Sequence, residues 1–296
     1  MRENSGVVNY GGTTQISQSA IGRGARVTLS ADREKGAEQA RRADVGVITV
    51  KGNEAAAVQE VLGLHEAPAG WLRFWEGEAE IRGSAVRVAA IQALEQGQRS
   101  AIVAFDHLRR HYNPAVVVLT GIAGGIDPNL SIGDVVVATR VVYYDLRKET
   151  PDGRRRRGEE KNAPAAIGHA VNSYFTFHGE PAHFMSADKD GTNHDYLVHT
   201  GPIGSGDAVI ADAASEITRY LKAFNDKILA VDMEAGGLMQ AFFEQHGPDV
   251  VDGWAVVRGI SDDASQRKDD TKQGLAAYHA ALVLQSLLPY LVVQGT

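Results

Sequence analysis

Three places in the sequence put residues that can do chemistry directly after an apolar, β-branched run. Residues 120–126 (TGIAGGI) are rich in glycine, and missing side chains let a backbone approach a ligand closely. Another run is followed by Asp232, Met233 and Glu234, and a third by residues 261–263 (SDD). Ligands collect at the carboxyl ends of strands in open α/β sheets, so these places are candidates for one shared site.

Each place also has a purely structural explanation. A glycine-rich turn between a strand and a helix is often needed only for tight packing. Asp232 and Glu234 could cap a helix that begins at Ala235, because carboxylates favour helix N-termini. Ser261 and Asp262 could form a capping turn. The occurrence of all three at strand ends of one predicted sheet favours a site.

The elements around these places predict an α/β fold of three layers, α/β/α, from about Asp44 onward. Apolar runs predict strands at residues 45–50, 86–91, 115–120, 134–139, 141–143, 228–231 and 254–257. Helical patterns occupy residues 54–64, 101–111, 213–224, 235–246 and 274–293. Pro289 is expected to kink or end the last helix.

Composition excludes several classes of protein. A chain of 296 residues with 44% apolar content can bury a large core, and its net charge of -7 argues against a surface that neutralises nucleic acid. No cysteine is present, which excludes disulfides, thiolate zinc sites and cysteine nucleophiles. No apolar run approaches the ~20 residues of a membrane helix, so we expect a cytoplasmic protein. We also expect no metal and no cofactor.

Two segments stand apart from the predicted sheet. Residues 1–43 are expected to form a polar appendage with a charged linker helix at 31–42, leaving residues 44–296 as the domain that carries the site. Residues 150–164 contain Pro, Gly and the four consecutive arginines Arg154 to Arg157, which predicts an exposed loop.

Six short motifs occur in the order found in methylthioadenosine and S-adenosylhomocysteine nucleosidases. They are residues 45–54 (VGVITVKGNE), 120–126, 132–136 (IGDVV), 205–208 (SGDA), 231–234 (VDME) and 258–262 (RGISD). One such string is weak evidence, but six in register are strong. The chain from about Asp44 to its C-terminus therefore resembles the nucleoside phosphorylase and nucleosidase superfamily. The resemblance implies a central mixed sheet and cleavage of the N-glycosidic bond of a purine, with adenine favoured.

The resemblance also implies a role for individual residues. Asp262 would protonate or hydrogen-bond purine N7, and Glu54 would position and deprotonate the attacking water. Glu234, with Met233 against the sugar, would bind the ribose hydroxyls and stabilise an oxocarbenium-like transition state. Asp232 stands where the family usually has Glu and would assist at the sugar. The other residues implied to bind substrate are Ile122, Ala123, Gly124, Val209, Lys51 and Ser261.

The nucleophile is a separate question, because the superfamily contains both phosphorylases and hydrolases. Phosphorylases carry a Gly-Asp-Pro-x-Arg loop near the N-terminal strand and an Arg two residues before the glycine-rich segment. Here residues 51–54 (KGNE) replace the loop and Leu119 replaces the Arg. Phosphate needs cationic donors to offset its desolvation, so we favour water. Phosphorolysis by a purine nucleoside phosphorylase is the alternative.

Three departures from the nucleosidase pattern leave the substrate open. Ile122 stands where those enzymes commonly have Ser, and Val209 where they have an aromatic residue beside the base. Lys51 replaces an apolar residue near the 5′ alkylthio group, and a buried unpaired ammonium there is costly. An anionic 5′ substituent would pair with this ammonium. Arg154 to Arg157 could then strengthen the binding of a phosphate. Nucleotide cleavage is thus an alternative, and similar domains occur as effectors in bacterial conflict systems.

Two other hypotheses place the chain in different functional classes. The domain could have lost catalysis and act as a ligand sensor with residues 1–43 as a docking element, but Glu54, Glu234 and Asp262 argue against this. A Rossmann dehydrogenase is excluded because residues 121–125 lack the Gly-x-Gly-x-x-Gly spacing. By resemblance, the protein is expected to be a homodimer or larger homo-oligomer.

Overall fold

The computed structural model describes residues 42–81, 83–187, 191–210, 212, 214–247, 249–263 and 270–292. Helices in this part of the chain are α1 Gly52–Leu62, α2 Gln98–Tyr112, α3 Ala165–His178, α4 Glu216–Phe224, α5 Ala235–Glu244 and α6 Asp270–Leu291. Its strands are β1 Val45–Thr49, β2 His65–Ala69, β3 Leu72–Ile81, β4 Ser84–Gln92, β5 Val116–Gly125, β6 Val135–Ala138, β7 Arg140–Tyr143, β8 Arg147–Thr150, β9 Gly153–Arg156, β10 Glu159–Asn162, β11 Ala182–Ala187, β12 Asn193–Thr200, β13 Ile203–Ser205, β14 Ala230–Asp232 and β15 Gly253–Asp262.

Most of these strands form one mixed sheet, which confirms the predicted α/β fold. Its main path runs β10-β7-β13-β14-β5-β1-β4-β3-β2, and β15 pairs with both β5 and β6. At the centre, β1 lies parallel to β4 and β5, and β15 lies parallel to β5. All residues of β1 and β6 are buried, as expected for strands covered on both faces.

Alternation along β5 separates two cores, one on each face of the sheet. Val116 and Val118 pack in a core with residues of α1, α3 and α6, whereas Val117 and Leu119 pack in a second core with residues of α2 and α5. Successive side chains of a strand point to opposite faces. The two cores therefore define the helix–sheet–helix layers.

Helix α6 is the central helix of one layer. Its segment Lys272–Leu291 is long and apolar enough, by length and composition alone, to cross a membrane, so the expectation that no apolar run has this length was wrong. In the structure the helix packs against β15 and α1, and its buried face belongs to the core. Pro289 lies in its last turn, and the helix ends two residues later.

Residues 150–164 do not form the predicted loop. They contribute the hairpin of β8 and β9 and the strand β10, which pairs antiparallel with β7. Arg156 turns inward, with 5% of its side chain exposed and contacts to Asp145 and Glu216. The polar composition of these strands fits an exposed hairpin and a sheet edge, which carry no apolar strand signal. The predicted appendage and linker helix lie almost wholly in residues 1–41, outside the described residues.

Candidate active site

The site lies where the ends of several strands of the sheet meet. Strand β14 pairs antiparallel with the end of β5, which places Val231 opposite Gly124. Strand β15 runs parallel to β5 and ends at Asp262, also beside Gly124. Residues 121–125 continue β5 and do not form the predicted turn. The missing side chain of Gly121 instead lets the backbone lie close to Glu54 and Arg258.

All eleven site residues implied by the sequence line a single pocket at this position. Five further residues complete its lining: Val50, Gln96, Ala208, Ile210 and Val231. Val209 is 54% exposed and offers only an aliphatic side chain at the pocket margin. The pocket is thus built from β1 with the start of α1, the end of β5, the residues after β13 and β14, and the end of β15.

Backbone donors from two elements fix the carboxylate of Glu54. Its Oε2 accepts hydrogen bonds from the N–H groups of Val50 at 2.7 Å and Lys51 at 2.9 Å. Its Oε1 accepts from the N–H of Ile122 in β5 at 3.0 Å. The side chain caps the backbone at the start of α1, and it also ties α1 to β5. A group held in this way is preorganised for one orientation in the pocket.

A buried guanidinium ties the other two carboxylates together. Arg258 Nη2 donates to Asp232 Oδ2 at 2.6 Å and to Glu234 Oε2 at 2.9 Å, and its Nε donates to Asp232 Oδ2 at 3.0 Å. Burial by itself lowers the pKa of Arg258, but the carboxylates of Asp232, Glu234 and Glu54 outweigh it and raise that pKa. Arg258 is therefore a permanent cation behind the pocket wall.

Glu234 is a buried acid of the site. Burial raises the pKa of Glu234, the Arg258 guanidinium acts against this rise, and the Asp232 carboxylate adds to it. Its Oε1 accepts a hydrogen bond from the Gly97 N–H at 2.9 Å. An acid in a pocket with a pKa shifted by burial and by a specific charged partner is typical of functional sites.

Asp232 is turned away from the pocket space towards the protein. Besides Arg258, its carboxylate accepts from Ser205 Oγ at 2.6 Å and from the Ala235 N–H at 3.2 Å. Gln98 Nε2 in turn donates to Ser205 Oγ at 3.0 Å. The capping explanation therefore holds for Asp232, which anchors both Arg258 and the start of α5.

Sequence reasoning gave no role to Arg258, Gln96 and Gln98. For Arg258 a signal was available, because a charged residue interrupts the apolar run WAVVRGI of β15 and needs buried partners. Gly121, which lies against Arg258 and Glu54, was a second signal of this buried cluster. A Cβ atom on Gly121 would lie within 2.6 Å of Arg258 Nη1 and in still closer contact with the Glu54 carboxylate, so the position requires glycine.

A register irregularity aims the last residues of β15. Ile260 pairs with Ala123 and Asp262 with Gly124, so Ser261 is the extra residue of a bulge. Bulges re-aim side chains and are frequent next to active sites. Ser261 Oγ donates to Asp262 Oδ2 at 2.9 Å, which orients the predicted acid at the pocket.

Lys51 contributes an ammonium group to the pocket, and its Nζ donates to Gln273 Oε1 in α6 at 2.9 Å. The arginines of the β8–β9 hairpin are not part of the pocket lining. Arg154 pairs with Glu149 and Arg155 with Asp152 on the hairpin itself.

Comparison with known proteins agrees with this geometry. A model of the phosphorylase superfamily matches residues 44–289. The chain is similar to a 5′-methylthioadenosine/S-adenosylhomocysteine nucleosidase of Staphylococcus haemolyticus (strain JCSC1435), with 24% identity over 83% of this chain and 100% of that protein. It is also similar to ATP nucleosidase Cap17 of Escherichia coli (strain KTE188), with 24% identity over 82% of this chain and 50% of that protein, so it spans half of the latter.

The fold has counterparts among solved structures. A nucleosidase of the same kind from Colwellia psychrerythraea 34H, solved in complex with adenine, superposes with a TM-score of 0.64 and 20% identity, covering 85% of this chain and 96% of that chain. The family match extends over well over half of the sequence, including every residue of the candidate site. The chain belongs to the phosphorylase superfamily.

Proposed function

We propose that the protein hydrolyses the N-glycosidic bond of a purine nucleoside or nucleotide and releases the free base. The observation that carries the proposal is that Asp262, Glu234 and Glu54 line one pocket, each on a different element and each oriented by hydrogen bonds. The names of the relatives, which are nucleosidases for adenosine derivatives and for ATP, support purine ribosides as the substrate class.

In the proposed reaction, Asp262 gives a proton to N7 of the base as the bond between C1′ and N9 breaks. The bonding electron pair stays on the base, which leaves as a neutral purine, and positive charge develops on the sugar. Glu54 accepts a proton from water as the water oxygen bonds to C1′. General acid or base assistance of this kind contributes about 10²–10⁴-fold in rate.

The buried acids have different tasks in this proposal. Glu234 contacts the ribose hydroxyls and places negative charge near the developing cation. Asp232 acts through Arg258 and the start of α5, because its oxygens accept hydrogen bonds from these groups. We therefore assign Asp232 a positioning role, which departs from the sugar contact expected from the sequence.

Water is the proposed nucleophile because the pocket offers little to a phosphate ion. Among the described residues that line it, Lys51 is the one with a cationic side chain. Arg258 lies behind the wall, fully buried and engaged with two carboxylates. An inorganic phosphate would have to be desolvated beside Glu54 and Glu234, which costs free energy without paired cations.

The test is a panel of purine nucleosides and nucleotides incubated with and without phosphate, followed by analysis of base and sugar products. Hydrolysis yields free base and a reducing sugar at a rate independent of phosphate. A phosphate-dependent rate with a sugar 1-phosphate would support the phosphorylase alternative instead. Ligand binding without any base release would support a sensor.

We also expect a homo-oligomer in the cytoplasm, which sedimentation and cell fractionation would test.

A further inference from the structure

The side chain of Lys51 lines the pocket, but the proposed reaction gives it no role. It is half-buried, and its Nζ donates to the neutral carboxamide of Gln273 at 2.9 Å. Among the residues that the structure describes, Nζ makes no ion pair within 4.0 Å. A partly buried ammonium group is stabilised by an anionic partner, because losing part of its hydration costs free energy.

The carboxylates of the pocket do not fill this role. Glu54 is directed at three backbone N–H groups, and Glu234 at Arg258 and the Gly97 N–H. Gln273 holds the ammonium in place but leaves its charge uncompensated, since a carboxamide oxygen is a neutral acceptor. Gln96 adds a second polar, uncharged side chain to the pocket lining. Among the described residues, the hydrogen-bond partner of this cation is thus a neutral amide.

Resting on the proposed function, we infer that the substrate is a purine nucleotide whose sugar phosphate pairs with Lys51. A purine base and an unmodified ribose carry no negative charge at neutral pH, so the anion is a substituent of the sugar, and in a purine nucleotide that substituent is a phosphate. Lys51 is the specificity-determining residue, and Gln273 is the residue that positions it. The hairpin arginines do not compete for this role, because they lie outside the pocket lining and pair with acids of their own.

The experiment compares kcat/KM for adenosine with those for 5′-AMP, 3′-AMP and ATP in the wild type and three variants. Lys51→Met removes the cation, and Gln273→Glu keeps the lysine but supplies it with a counterion. Lys148→Met removes an exposed lysine of β8 and is the matched control. The ratio of nucleotide to adenosine measures discrimination in the transition state.

In the wild type we expect one nucleotide to be preferred over adenosine. Both Lys51→Met and Gln273→Glu should lower that preference by about 10- to 150-fold, the range for a charge-assisted hydrogen bond, while Lys148→Met leaves it unchanged. The 5′ and 3′ isomers report which phosphate is bound. A wild type that prefers adenosine, or an unchanged ratio in Lys51→Met, would overturn the inference.

Failure of the proposed function gives a different pattern, in which no purine is released from any substrate. The same four proteins are then titrated with adenosine and 5′-AMP by calorimetry. Tighter binding of AMP that depends on Lys51 would still support the inference, and equal binding of the two ligands would contradict it.

Discussion

Arg258 holds two of the carboxylates of this pocket in place. It pairs with Asp232 and Glu234 in a fully buried position, and its Nη1 lies close to the space above Gly121 that the Glu54 carboxylate also borders. Removing one partner of a buried ionic cluster costs roughly 3–5 kcal/mol, because the remaining charges lose their compensation. Changes at Arg258 will therefore disturb stability as well as activity, and Asp262 and Glu54 are better places to test the chemistry.

We predict that Asp262→Asn loses about 10²–10⁴-fold in kcat/KM for base release. The amide has nearly the same shape but has no acidic proton to give to the leaving purine. Steady-state assays of free adenine would measure the loss, with thermal unfolding to verify that the variant folds. Asp263→Asn, at the exposed residue that follows, is the control. Near-wild-type turnover of Asp262→Asn would remove Asp262 from the mechanism.

We predict that Glu54→Gln abolishes hydrolysis but binds substrate within a few-fold of the wild type. The water depends on the carboxylate for deprotonation, whereas the nucleoside does not. Equilibrium binding and single-turnover assays separate the two effects. Glu60→Gln changes an exposed glutamate of the same helix and should leave both unaffected. If binding disappears together with turnover, Glu54 is a ligand contact and not the base.

At the scale of elements, close backbone approach keeps the strand ends in position. Helix α6 packs so tightly on β15 that a Cβ atom on Gly259 would lie 2.0 Å from the carbonyl oxygen of Ala276. A Cβ atom on Gly237 would likewise lie 2.2 Å from the backbone oxygen of Gln98, where α5 meets α2. Backbone atoms cannot rotate away as side chains do, so a substitution there must move a whole element.

We therefore predict that Gly259→Ala lowers the free energy of unfolding by about 1–3 kcal/mol, as overpacking does. It should also lower kcat/KM, because Asp262 lies three residues further along β15. The control is Gly274→Ala in α6, where an added Cβ atom meets nothing within 4 Å. That change should be neutral or stabilise the helix by up to about 1 kcal/mol. Urea unfolding of both variants measures the difference, and equal values would contradict the packing argument.

For the whole molecule, most strands that are buried on both faces were predictable, the short β13 being an exception, and the exposed ones were not. Central strands such as β1 and β15 have continuous β-branched runs, and the site residues follow them directly. Strand β3 (LRFWEGEAEI), which lies next to the edge strand β2, and the hairpin of β8 and β9 carry charges on exposed faces, so no apolar signal marks them. The direction in which Asp232 turns depends on Ser205 and Arg258, which come from other strands and which local pattern does not reveal.

Stability of the whole fold should depend on pH through His279 in α6. Its Nδ1 donates to the Gly133 carbonyl oxygen at 2.7 Å, so in the neutral ring Nε2 accepts from Ser186 Oγ, also at 2.7 Å. Burial lowers the pKa of His279 below 6.5, the Gly133 hydrogen bond opposes this shift, and among nearby ionisable groups His194 adds to it and Asp134 opposes it.

The unfolded chain therefore binds a proton at His279 at a higher pH than the folded protein does. The contribution of the neutral, buried His279 to the free energy of unfolding is complete above pH 6.5. It is lost progressively as the pH falls below 6.5, with a slope of at most about 1.4 kcal/mol per pH unit. We predict that His279→Gln flattens this part of the curve. Urea unfolding from pH 5 to pH 7.5 provides the comparison, and parallel curves for the two proteins would contradict the assignment.

The charges gathered around Arg258 do not cancel one another. Asp232, Glu234 and Glu54 supply three carboxylates for one guanidinium, all within a few ångströms and shielded from solvent. Such a cluster interacts more favourably with a sugar that has become a cation than with the neutral sugar of the bound substrate, and this difference accelerates bond cleavage. It also follows that a ligand with a protonated amine in place of the sugar-ring oxygen should bind more tightly than its neutral counterpart.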